Sequence, residues 1–130
     1  MKATSSVAIS EELLQVILSS ARRLYPREMI LLLRGKKTER LVKVSELVVP
    51  PLATYGHGFA SVPFHTLPLD FSIVGTVHSH PSGNLLPSIA DLNHSFGLVL
   101  MLVGFPYTDV QCAAVFNRDG DRLQLHVTET

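Results

Sequence analysis

Residues 71–91 read FSIVGTVHSHPSGNLLPSIAD, and this stretch decides how the chain folds. The part up to Val77 is apolar and rich in β-branched residues, which predicts a strand that enters from the core. Alternate side chains of a strand point to the same face, so His78 and His80 should project together. The stretch therefore predicts a buried strand that ends with two imidazoles on one face.

The loop that follows should bring a carboxylate close to the end of this strand. Pro81 stops the strand, and Gly83-Asn84 allows the chain to reverse. Asp91 then falls in the first turn of a predicted helix. Two imidazoles and one carboxylate, with a fourth position left open, are the ligand set of a catalytic zinc site. The sequence thus predicts one catalytic zinc ion, held by Asp91 and the two histidines.

Each part of this pattern also has an interpretation without a metal. Ser88-Ile89-Ala90-Asp91 is a capping pattern for the start of a helix, and taken alone that interpretation is favoured. A His-x-His pair taken alone can be the end of a strand that meets solvent. The combination of a buried strand, a tight loop and a helix N-terminus that carries a carboxylate favours the metal site. Capping can coexist with metal binding.

The composition limits the classes of protein to consider. The chain has 130 residues, which suits a single domain over residues 1–130 with one core. Hydrophobic residues make up 46%, so a folded globular protein is expected rather than a disordered one. Eleven basic and eleven acidic residues balance to a formal charge of zero. Because no long basic run is present either, nucleic-acid binding is not expected as the main activity.

Membrane and disulfide classes are also disfavoured. The longest apolar run, Leu98 to Phe105, is far too short to cross a bilayer. The first residues lack the pattern of a signal peptide. The single cysteine, Cys112, excludes an intrachain disulfide and a cysteine-based zinc site, and it is expected to be a core thiol. We therefore expect a cytoplasmic protein that does not associate with membranes.

The order of the predicted elements indicates the fold class. Ser10 predicts the N-cap of a first helix, which Pro26 closes. Met29 to Leu33 and Leu41 to Val49 predict a hairpin with its turn at Gly35-Lys36-Lys37. The later elements are a short strand around Phe59 to Phe64, the strand that ends in the two histidines, a helix over Ile89 to Phe96, a strand over Leu98 to Val103, and a hairpin of Asp109 to Phe116 with Arg122 to Val127. This order predicts an α+β fold, with a mixed, strongly twisted sheet and a helix on each side.

A zinc hydrolase also needs a group that takes a proton from water and passes it to the leaving amine. Glu28 is the candidate because it lies where the first helix ends and the next strand begins. On the sequence alone, a surface glutamate at a strand edge is the favoured interpretation, since spacing does not place Glu28 beside His78.

The polar residues together resemble a known family signature. Glu28 near the first strand, then His78-Ser79-His80, seven residues and Ser88-x-x-Asp91, are similar to the motif of the JAMM (JAB1/MPN+/Mov34) zinc metalloproteases, in their compact archaeal and bacterial form. The resemblance covers essentially the whole chain, and all five polar positions are present at the family's spacing. It implies an MPN/JAB1-like fold, related in outline to cytidine deaminases, in which helices sandwich a mixed twisted β-sheet.

The resemblance also implies a role for each of the five residues. His78, His80 and Asp91 would bind zinc, and Glu28 would be the general acid–base. Ser88 would donate a hydrogen bond to the oxyanion that develops during the reaction. Catalytically inactive relatives lack one or more of these residues, and here none is lost.

Members of this family act on ubiquitin or ubiquitin-like proteins and cut after an extended glycine-rich tail. The resemblance thus implies a zinc metallo-isopeptidase or peptidase that hydrolyses the bond after the C-terminal Gly-Gly tail of a ubiquitin-like or sulfur-carrier protein. Such a tail can add a strand to a sheet edge, which we expect among residues 55–64. The chain has little room for the two long insertions with which eukaryotic deubiquitinases hold a distal ubiquitin, so polyubiquitin linkage selectivity is not expected.

Two other classes of function compete with this hypothesis. The alternative is a non-catalytic MPN scaffold that binds partners in a protein complex, although the five intact residues argue against it. A zinc deaminase needs His-x-Glu and a later Pro-Cys-x-x-Cys, and a chain with one cysteine cannot supply that pair. The sequence leaves open whether the chain forms a homodimer.

Overall fold

The computed structural model describes residues 2–50, 54–56, 59–61, 72–93 and 95–130. In chain order, these residues form β1 Ser6–Ser10, α1 Glu11–Leu24, β2 Ile30–Thr38, β3 Leu41–Val48, β4 Thr54–Gly56, β5 Phe59–Ser61, β6 Ile73–His80, α2 Ile89–Asn93, β7 Val99–Gly104, β8 Ala113–Asn117 and β9 Arg122–Thr128. A short 3-10 helix, Val110–Cys112, precedes β8.

Seven of these strands form one mixed sheet in the order β1-β3-β2-β6-β7-β8-β9. The pairs β2–β3, β2–β6, β7–β8 and β8–β9 are antiparallel, whereas β6–β7 is parallel. β1 pairs in parallel with both β3 and β9, so the sheet closes on itself. The predicted mixed sheet is confirmed. Its closure through β1 is a feature that was not predicted from the sequence.

α1 forms where its capping pattern predicts. The Ser10 hydroxyl accepts a hydrogen bond from the Leu13 amide at 3.1 Å, which satisfies one of the free amides at the helix start. Acidic residues in the first turn and basic residues in the last turn complement the helix dipole. One face of the helix is buried against the sheet, through Leu14, Ile17, Leu18 and Ala21.

The two helices cover opposite faces of the sheet. In β7, Val99, Met101 and Val103 belong to the core cluster under α1, while Leu100 and Leu102 face a second cluster. Leu92 of α2 packs against that second cluster. A strand that is buried on both faces is a continuous apolar run, which explains the unbroken sequence VLMLV.

The predicted turn at Gly35-Lys36-Lys37 is wrong. β2 continues through these residues, and the chain reverses at Glu39, which has a positive φ of 57°. The ladder shifts register between Arg34 and Gly35, so the glycine marks a bulge and not a hairpin tip. A Cβ at Gly35 would lie 2.1 Å from the Lys43 carbonyl oxygen, which explains why glycine occupies this strand position.

The second predicted helix is shorter than expected. α2 spans Ile89–Asn93, not Ile89 to Phe96, and residue 94 lies outside the described part. The chain must return to the sheet by Leu98, whose amide donates to the Val74 carbonyl at 2.7 Å. The Ser95 hydroxyl meanwhile donates to the Leu92 carbonyl at the helix end.

The predicted strand from Asp109 to Phe116 begins later, at Ala113. The Asp109 carboxylate accepts a hydrogen bond from the Gln111 amide at 2.9 Å and caps the 3-10 helix. This local bond competes with strand pairing, as aspartate side chains commonly do.

The predicted strand around Phe59 to Phe64 is described only as β5, which pairs with β4 in a small separate antiparallel sheet. Residues 62–71 lie outside the described part of the chain, as do most of the residues where the substrate edge was expected.

Within the described ranges, none of the helices has the length and apolar character that crossing a membrane requires.

Candidate metal centre

The two histidines lie at the end of the most enclosed part of β6. This strand is hydrogen-bonded on both edges, to β2 and to β7, and its side chains from Val74 to Ser79 are buried. His78 is only 3% exposed, while His80 at the strand end is partly exposed. Because they lie two residues apart, their side chains project from the same face, as the sequence predicts.

The loop after β6 turns tightly beside these histidines. The Gly83 amide donates to the His80 carbonyl at 3.0 Å, and Gly83 has a φ of +83°, which favours glycine. This turn carries Asn84 back to the imidazole of His80, whose Nδ1 lies 2.7 Å from the Asn84 carbonyl oxygen. Nδ1 must therefore carry the proton in a neutral ring, which leaves Nε2 as the nitrogen that can bind a metal.

Asp91 is held at the start of α2 by two reciprocal hydrogen bonds. The Ser88 amide donates to Oδ2 of Asp91 at 2.8 Å, and the Asp91 amide donates to Oγ of Ser88 at 3.0 Å. This is a capping arrangement, with the carboxylate in the place that glutamate takes in the usual capping box. The capping interpretation is therefore correct, and it leaves Asp91 in contact with both histidines.

The Asp91 carboxylate contacts the two imidazoles through different oxygens. Oδ2 lies 3.2 Å from Nε2 of His80, and Oδ1 lies 3.7 Å from Nδ1 of His78. Zinc bonds of about 2.0–2.1 Å at the tetrahedral angle would separate ligand atoms by roughly 3.3 Å. The observed separations bracket this value, so the donor types and their spacing suit zinc.

The Asp91 carboxylate contacts each of the two imidazoles directly. Among the described residues, no group of three or more His, Cys, Asp or Glu side chains is already arranged as a metal cage. The fit to zinc thus rests on the donor set and the pairwise spacing. Small rotations of the side chains would be needed to direct all three donors at one ion.

Electrostatics in this cluster favour the charged pair of His80 and Asp91. Burial raises the pKa of Asp91, but the hydrogen bonds with His80 and with the Ser88 amide outweigh it and lower the pKa to about 2. The pKa of His80 is raised, chiefly by its hydrogen bond with Asp91 and against the effect of burial. When His80 is protonated, it therefore supplies a positive charge beside the Asp91 carboxylate, as a bound cation would.

Glu28 lies beside this cluster because of the register between β2 and β6. Ile30 pairs with His78 in the antiparallel ladder, and the Ser79 amide donates to the Met29 carbonyl at 3.0 Å. Continuing this register by one more residue sets Glu28 opposite His80. Glu28 and His80 are close enough to influence each other's pKa. Glu28 thus lies near the histidines, although its side chain remains partly exposed at the edge of β2.

The environment of Glu28 suits a general base. Burial is the main reason that its pKa is raised, and the Asp91 charge adds to the effect while His80 opposes it. A carboxyl with a raised pKa both accepts and returns a proton more readily near neutral pH.

Two further residues near Glu28 were not identified from the sequence as site residues. Ser79 is fully buried between the histidines and contacts the backbone of Met29. Tyr107 is also fully buried, and its phenol is close enough to Ser79 and Glu28 for both to influence its pKa. Strand alternation could have shown that Ser79 faces away from the imidazoles. No sequence signal points to Tyr107.

Comparison with known proteins identifies related sequences. Residues 10–120 match the family model described as prokaryotic homologs of the JAB domain. A probable metalloprotease of Haloferax volcanii is 32% identical over 131 residues, which cover 95% of this chain and 80% of that protein.

Two solved structures are also similar along almost their whole length. A JAB1/MPN domain protein from Archaeoglobus fulgidus is 30% identical, with a TM-score of 0.66, and the match covers 99% of this chain and 100% of that one. A second structure, described as JAMM, a metalloprotease-like zinc site in the proteasome and signalosome, is 30% identical with a TM-score of 0.68. That match covers 98% of this chain and 100% of the other. The predicted MPN/JAB1 fold and the α+β class are confirmed.

Proposed function

The chain belongs to the prokaryotic JAB family of JAMM/MPN domains, and on that premise we propose that it is a zinc-dependent isopeptidase or peptidase. It would hydrolyse the bond after the C-terminal Gly-Gly tail of a ubiquitin-like or sulfur-carrier protein. The observation that supports this most is the contact of both imidazoles with one carboxylate, with a partly buried glutamate opposite His80.

His78, His80 and Asp91 would hold one zinc ion. When bound, the ion would acidify a water molecule to a pKa of about 7 and polarise the carbonyl of the scissile bond. The Asn84 carbonyl would keep the proton of His80 on Nδ1, so that Nε2 stays available as a ligand.

Glu28 would move the proton during the reaction. Its carboxylate would accept the proton that water loses on attack and then transfer it to the departing amine. The raised pKa of Glu28 supports this role, because the protonated form is then stable enough to act as an acid in the second step. A lysine ε-amine as the leaving group makes the reaction an isopeptidase step, and an α-amine makes it a peptidase step.

Ser88 would stabilise the oxyanion. Its Oγ accepts a hydrogen bond from the Asp91 amide, so its own proton stays available for donation. The residue can thus cap α2 and serve the reaction at the same time. One donor of this kind contributes about 100- to 1000-fold to the rate.

The proposal for the substrate tail rests on family membership and on general binding physics. An extended Gly-Gly tail has no side chains to fill pockets, so its backbone would have to supply much of the affinity by adding to a strand edge. The β4–β5 segment offers short strands in the region where we expect this edge.

The test combines metal content with cleavage. Protein purified without a metal-affinity tag would be analysed for zinc and assayed on a ubiquitin-like protein fused through its Gly-Gly tail to a reporter amine, with and without chelator. We expect near-stoichiometric zinc and chelator-sensitive cleavage. His78→Ala should lose both, whereas His126→Ala, an exposed histidine on β9, should keep both.

Other outcomes would contradict parts of the proposal. Stoichiometric zinc without cleavage of any Gly-Gly conjugate would favour the non-catalytic scaffold. Failure to bind zinc after reconstitution would contradict the metal site itself.

A further inference from the structure

Ser79 makes an unusual connection between the two strands of the site. Its amide donates to the Met29 carbonyl at 3.0 Å, and its hydroxyl accepts a hydrogen bond from the Met29 amide at 2.6 Å. In a regular antiparallel pair, that amide would donate to the carbonyl of the residue opposite. Here a side chain takes the place of one ladder bond, directly after the last regular pair, Ile30 with His78.

The Met29 amide has to be satisfied inside the protein. Met29 is 1% exposed and Ser79 is fully buried, so water cannot easily replace the bond between them. Without the Ser79 hydroxyl, the buried amide would lose its hydrogen-bond acceptor, which folded proteins avoid. The segment would then be expected to shift away from β6 to reach another acceptor or solvent.

Such a shift would affect the position of Glu28 directly. This residue directly precedes Met29 and lies outside the regular ladder, which begins at Ile30. Among the hydrogen bonds of the described residues, those between Met29 and Ser79 attach the chain to β6 directly beside Glu28. Any movement of the Met29 amide changes the distance between Glu28 and His80.

Tyr107 lies close to the same attachment. Its buried ring stands edge-on to Tyr25, at 6.4 Å between centroids, and Tyr25 lies just before the Glu28 segment. The Tyr107 phenol lies near Ser79 and Glu28, since both residues influence its pKa.

We propose that Ser79 is a positioning residue for Glu28: its hydroxyl holds the Met29 amide and thereby fixes the general base opposite His80. The inference rests on the proposed function, because positioning matters only if Glu28 acts as the base. Ser79 itself touches neither substrate nor metal in this role, since it faces away from the two imidazoles.

The first part of the test measures the attachment without any catalysis. Amide hydrogen exchange of the metal-free protein should show the Met29 amide as protected in the wild type and exchanging at least tenfold faster in Ser79→Ala, with the Leu32 amide unchanged. Thr76→Val is the matched control, because Thr76 is a buried hydroxyl residue on the same strand whose Oγ1 has no hydrogen-bond partner among the described residues. Equal protection of Met29 in Ser79→Ala and wild type would overturn the proposal.

The second part measures catalysis in the zinc-loaded enzyme. Displacements of about 1 Å can cost about 100-fold in rate, so we expect Ser79→Ala to lower kcat by about that factor with KM and zinc content unchanged. Ser79→Thr keeps the hydroxyl and should recover most of the rate. If Ser79→Ala does not fold, Ser79→Cys serves instead, because sulfur is a weak acceptor of similar size.

A double variant separates positioning from a general structural effect. If Ser79 acts through Glu28, then Ser79→Ala should cost little further rate in a Glu28→Gln background. An equal loss in both backgrounds would overturn the proposal. If the wild type binds zinc but cleaves no Gly-Gly conjugate, the proposed function fails, while the exchange measurement still decides whether Ser79 holds the segment.

Discussion

Asp91→Asn should change the stability of the metal-free protein in a way that depends on pH. The carboxylate pKa falls from 3.8 to about 2 on folding, and the net shift comes from His80 and the Ser88 amide acting against burial. A difference of roughly 1.8 pH units at 1.36 kcal/mol per unit gives roughly 2 kcal/mol of stability from the ionised form. Asparagine retains an oxygen for the Ser88 amide, so capping is preserved and the charge is what is lost.

The direction of the effect follows from both partners. Asp91 has a lowered pKa, so its contribution is present above about pH 3.8 and is lost as the pH falls towards 2. His80 has a raised pKa, so its contribution is present below 6.5 and is lost as the pH rises through its folded value. Because the hydrogen bond between His80 and Asp91 contributes to both pKa shifts, its contribution to stability is counted once. The difference between wild type and variant should therefore be largest between about pH 4 and 6.5.

Urea denaturation at fixed ionic strength, on protein freed of metal by chelator, measures this difference between pH 3.5 and 8. Asp109→Asn is the matched control, because Asp109 also caps a helix start through a backbone amide. We expect the control to show no maximum in the acidic window. A difference that stays flat from pH 4 to 8, or that grows steadily above pH 7, would refute the ion pair between His80 and Asp91.

Three further substitutions test separate parts of the structure. Glu28→Gln should keep the fold and the zinc, measured by elemental analysis, but lose about 100- to 10,000-fold in kcat, because an amide cannot accept the proton; full activity would contradict the assignment. Ser88→Ala should lower kcat by about 100- to 1000-fold with little change in KM. If the zinc content of this variant fell as much as its kcat, Ser88 would instead act by holding Asp91. Ser10→Ala should reduce the free energy of unfolding by about 1 kcal/mol through loss of the α1 cap. Ser20→Ala should change it little, because Ser20 is partly exposed and, among the described residues, its hydroxyl contacts only the Val16 carbonyl of the same helix.

The sequence was informative where local chemistry decides the structure. Alternation along a strand placed His78 and His80 on one face, and the capping pattern placed Asp91 in the first turn of α2. Both rest on residues only a few positions apart, so their geometry is set before any long-range contact forms. The family resemblance added the fold and the role of each residue, and comparison with related proteins confirms the fold.

The predictions from sequence were wrong where one residue type can serve two structural purposes. Gly35 with two lysines is typical of a turn, yet the glycine is needed inside β2, where a carbonyl of β3 comes too close for a side chain. The pattern after Asp109 predicts a strand that starts at this residue, although its carboxylate instead caps a short helix. In both cases the deciding contact involves backbone atoms, which a pattern of side chains does not report.

Glu28 illustrates why the remaining residue of the site needed the structure. It is separated from His80 by 51 intervening residues, about half of which belong to a segment without a regular pattern, so spacing says nothing about the distance between the two side chains. What joins them is the register of one antiparallel pair, Ile30 with His78, extended by the bonds between Met29 and Ser79. The same strand thus carries the histidines on one face and, on the other, the hydroxyl that secures the glutamate. The serine between the two histidines consequently links the predicted metal ligands to the predicted base, and a change at that buried position should affect the chemistry without touching any group that performs it.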